Sequence, residues 1–113
     1  MLPSGLQIRL IAAPVFLATK FEAFATRGRG DMLSSHDFED IINVLEGRPE
    51  IEDEIAGFYP ELRSYLIERF REIRSNPDFD NVLPGLLAFD ALYTERLTMV
   101  RQRIATIAAL ELV

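Results

Sequence analysis

Apolar residues spaced three and four apart, cut into short runs by proline and glycine, constrain this chain more than any other feature. Phe16, Leu17, Phe21 and Phe24 keep that rhythm after Pro14, and Phe38, Ile41, Ile42 and Leu45 keep it after Ser34 and Ser35. Leu62, Tyr65, Leu66, Phe70 and Ile73 repeat it after Pro60, and Leu97, Val100, Ile104 and Ile107 repeat it near the end. A period of 3.6 puts each set on one face of a helix. Such faces must be buried against one another, so the spacing predicts a mostly helical domain.

The punctuation sets the boundaries. Pro14 suits the first turn of a helix, where its missing N–H costs nothing. Gly28 and Gly30 end that helix and permit positive φ. Ser34 or Ser35 is a natural N-cap for the next one, with Asp37 and Glu39 in its first turns, and Gly47 terminates it. A short acidic helix is expected from Pro49 to Ala56, closed by Gly57. Asn76-Pro77 stops the helix that Pro60 starts and caps a short turn or helix holding Phe79, Val82 and Leu83. Pro84-Gly85 is expected to break the chain again, before a last helix from about Ala91. Only Leu6, Ile8 and Leu10 alternate with polar Gln7 and Arg9, the period of a half-buried strand. The expected architecture is one helical domain over residues 1–113. A strand-like stretch at 6–11 is its one departure from helix, followed by a helix-loop-helix at 14–46 and a helical remainder at 49–113. A single strand needs a neighbour for its backbone groups, which predicts a homo-oligomer or a second chain.

The chain has 113 residues, enough for one core. It has no cysteine, which excludes a disulfide framework and a cysteine-based zinc site. Its N-terminus lacks the charged start and long apolar block of a signal peptide, and no run is apolar enough to span a bilayer. A cytoplasmic protein without membrane contact is expected. The net charge of −6 is uneven. Residues 1–30 carry four basic groups against one acid, residues 31–61 ten acids against Arg48, and residues 62–113 seven of each. The mean field repels phosphate, so general nucleic-acid binding is not expected. A small basic pocket at Lys20, Arg27 and Arg29 could still hold one nucleotide.

The stretch from Pro14 to Ile42 gathers the chemistry-bearing residues. Lys20 shares the apolar side of the first helix. It is either a boundary lysine reaching for water or a point charge for a β- or γ-phosphate. Arg27 and Arg29, set between glycines, are either solubilising loop residues or a phosphate clamp. Asp37 and Asp40 project from one side of the second helix. They either stabilise its N-terminus or orient Lys20 or a loop arginine, and they are the candidate acids for catalysis. His36 with Asp40 is a weak metal pair, and no metal site is expected. Glu50, Glu52, Asp53 and Glu54 read as a solvated helix face, because the ligand pattern and central glycine of a calcium loop are missing.

The order LIAAP, FLATKFEAF, RGRGD and HDFEDIINVLEGR resembles the second half of the AbiEii-type nucleotidyltransferases, whose members include toxins of bacterial toxin–antitoxin pairs. The resemblance runs through most of the chain and is strongest from Ile8 to Pro49. It implies equivalence to the helical C-terminal part of a nucleotidyltransferase-like α/β fold. It implies that Lys20 lies near nucleotide phosphates, that Arg27 or Arg29 is the loop arginine, and that Asp37 and Asp40 match the family's aspartate pair, with His36 where a lysine is common. The family's Gly-rich turn and D-x-D acids, which hold magnesium, have no counterpart before Pro14. The expectation is therefore a partial phosphate site that handles magnesium and a nucleoside triphosphate only when a missing segment completes it, with no cofactor for the chain alone. The alternative is a small helical interaction domain, working as a homodimer without nucleotide chemistry.

Overall fold

A computed structural model describes residues 12–26, 35–87 and 91–111. Among the described residues six helices follow in order: α1 (Ala13–Thr26), α2 (His36–Gly47), α3 (Ile51–Ala56), α4 (Pro60–Ser75), α5 (Phe79–Leu86) and α6 (Tyr93–Ala108). No strand occurs among the described residues, and the strand-like stretch at 6–11 lies outside them.

Each boundary has a local cause. Pro14 sits in the first turn of α1, and Pro60 opens α4. Ser35 is the N-cap of α2: its Oγ accepts the Phe38 N–H at 3.1 Å. Gly57 follows α3, where its N–H donates to the Asp53 carbonyl at 3.0 Å. Asn76 closes α4, and its Oδ1 accepts the Asp78 N–H at 2.9 Å, turning the chain into α5.

The expected break at Pro84-Gly85 does not occur. Pro84 lies inside α5, which runs on to Leu86. Its missing N–H leaves the Asp80 carbonyl without a helical donor, but Asp80 is exposed and water can serve it. Leu83 and Leu87 are buried on either side and hold the turn in place. The Tyr93 hydroxyl donates to the Pro84 carbonyl at 2.8 Å, tying α5 to the start of α6.

One core runs through all six helices. Leu17 of α1, Phe38 and Ile41 of α2, Ile51 of α3, Phe70 of α4, Leu83 of α5 and Ile104 of α6 all belong to it, each essentially free of solvent. Burying each such side chain contributes roughly 1.5–3 kcal/mol. Phe21 meets Phe70 edge-on at 5.0 Å between ring centroids, which fixes α1 on α4. Phe24 meets Phe38 at 5.2 Å, which fixes the end of α1 on the start of α2. The two helices are antiparallel: Phe24 lies beside Phe38, and Ala13 borders the same hollow as Gly47. α6 closes the bundle against α2, α3 and α4.

Candidate functional site

The α1–α2 hairpin positions the predicted residues. Lys20 lies three residues after Leu17 and one before Phe21, at the edge of the buried face of α1. Its side chain is 23% exposed. Asp37 and Asp40, one turn apart on α2, both turn towards it. Lys20 Nζ is 2.9 Å from Asp40 Oδ2 and 3.5 Å from Asp37 Oδ1. The Phe16 ring lies 5.4 Å from the same ammonium, within cation–π range. The hydrogen bond to Asp40 holds the Lys20 ammonium above its ordinary value of 10.5, helped by the charges of both carboxylates and opposed by partial burial.

The expected meeting of Lys20 with Asp37 and Asp40 is therefore present. Asp37 is almost fully buried, which a carboxylate at a helix start tolerates when cations and backbone donors face it. Arg27 and Arg29 lie outside the described residues. His36 does not join the cluster: its ring is 97% exposed and faces Glu39 at 3.6 Å. No group of three histidine, cysteine or acidic side chains that could hold a metal exists among the described residues.

A mostly apolar hollow of about 610 Å³ opens beside this cluster, between the start of α1 and the end of α2. Ala13, Phe16, Val44 and Gly47 line it, with Asp40, Asn43 and Arg48 at its edge. Phe16 and Asp40 thus belong both to the hollow and to the surroundings of Lys20. Arg48 is held by Glu54 through a bidentate pair, Nε to Oε1 at 2.6 Å and Nη2 to Oε2 at 2.7 Å. That pairing holds the Glu54 carboxyl below its ordinary value of 4.5.

Sequence reasoning missed a set of long-range arginine and tyrosine contacts. Arg96 pairs with Glu46, and Arg103 donates to the carbonyls of Leu45 and Glu46 at the end of α2. Arg71 donates to the Ala108 and Leu110 carbonyls at 2.6 and 2.9 Å. The Tyr65 hydroxyl donates to Glu22 across α1 and α4. Burial, and then that hydrogen bond, push the Tyr65 phenol up to about 12. Helical spacing places these residues at the margin of a face, but it cannot say which distant carbonyl they meet.

No family model, curated protein or solved structure matches the chain.

Proposed function

We propose that this chain is a phosphate-orienting helical unit, equivalent to the C-terminal half of an AbiEii-like nucleotidyltransferase. One observation carries the reading: Lys20 is held between Asp37 and Asp40 at the edge of an open hollow. An ammonium has three donors, and two carboxylates engage at most two when each takes one. The remaining N–H of a partly exposed, fixed lysine can donate to a phosphate oxygen with little further loss of side-chain freedom. The two carboxylates exceed the lysine by one negative charge, so a phosphate also needs further cations, for which Arg27 and Arg29 are the candidates.

The described residues do not fit a magnesium site. Asp37 and Asp40 are committed to Lys20, and no third ligand stands near them. The metal carboxylates that phosphoryl transfer requires would come from a second chain or from residues beyond those described. Calorimetric titration with a nucleoside triphosphate, with and without magnesium, tests the reading. Weak binding is expected, reduced at least tenfold in Lys20→Ala, with no transfer of labelled nucleotide to RNA or protein acceptors by the chain alone. Absence of binding in millimolar nucleotide, or binding indifferent to Lys20→Ala, would sink it.

The hollow itself favours a second reading, a small helical interaction domain without nucleotide chemistry. Its apolar floor is open to solvent, and nothing in the phosphate reading uses Ala13, Val44 or Gly47.

A further inference from the structure

We draw no further inference here: the strongest candidate, the small hollow between α1 and α4 lined by Phe21, Phe24 and Ile73 with Arg69 and Glu72 at its edge, carries nothing, because those two charges are committed to each other at 2.6 Å and nothing in the structure shows what would fill the space.

Discussion

Two polar seams meet α2 at opposite ends, and they solve different problems. Near its start, Lys20 of α1 faces Asp37 and Asp40. At its end, Arg96 and Arg103 of α6 face Glu46 and the carbonyls of Leu45 and Glu46. The last carbonyls of a helix have no intrahelical donors and carry the negative end of its dipole. A cation there fills a need that the fold itself creates. The first turns are the reverse case. Acids are already welcome at the positive end, and Ser35 already caps the Phe38 N–H. Lys20 answers no such helix-end need; what holds it is the pair of carboxylates it faces, one of them almost fully buried.

The apolar layer beneath the first seam sets the scale. Phe38 is fully buried against Phe24, and Phe38→Ala should cost about 3–5 kcal/mol in chemical denaturation. Arg103→Ala should come next. It removes charge-assisted hydrogen bonds from carbonyls that are part-buried under α6, at a cost of about 1.5–3 kcal/mol. An Arg103→Ala cost no greater than that of a surface pair would erase the distinction between the seams.

These two residues also mark what the sequence discloses. Phe38 was legible because Phe38, Ile41, Ile42 and Leu45 repeat at helical spacing, and periodicity reports which side of a helix is buried. Lys20, Asp37 and Asp40 were legible because their helices are neighbours in the sequence, leaving few ways to pair two adjacent apolar faces. Arg103 was not. It sits more than fifty residues from Leu45, and nothing local says that α6 returns to the end of α2. Pro84 misled for a related reason. Proline reads as a stop, but an exposed residue, Asp80, one turn earlier and two buried leucines make it tolerable close to a helix end. The hollow beside Gly47 was equally hidden, because an empty space between helices has no residue pattern of its own.

Lys20→Met should cost about 1 kcal/mol or less at neutral pH, since the pair is partly exposed and screened. Its pH dependence is the sharper test. The folded ammonium lies above its ordinary 10.5, so its contribution is complete below that value and is lost as pH rises through the higher folded value. The Lys20→Met stability curve should lack that alkaline decline. A loss as large as that of Arg103→Ala, with the decline retained, would make Lys20 a structural residue and weaken the case for a phosphate partner.

The smallest effect belongs to the Arg48–Glu54 clamp, which closes the turn between α2 and α3 without joining either seam. Its bidentate geometry is good, but both side chains reach solvent, at 46% and 29% exposure. Attraction between such groups is offset by hydration and reduced by salt. The signal to follow is therefore the titration of Glu54 rather than global stability. Arg48 favours the charged carboxylate, so the folded midpoint lies below the ordinary 4.5. The stabilising contribution is present above 4.5 and disappears as pH falls through the folded value. In an NMR titration, Arg48→Ala should return the Glu54 midpoint towards 4.5, and molar salt should move the wild-type midpoint part of the way. Melting points of the two proteins should differ by less than those of either seam variant. A Glu54 midpoint unmoved by Arg48→Ala would mean that the clamp does not persist in solution. Arg48 would then stand as a free cation at the edge of the hollow, beside Asp40 and Asn43.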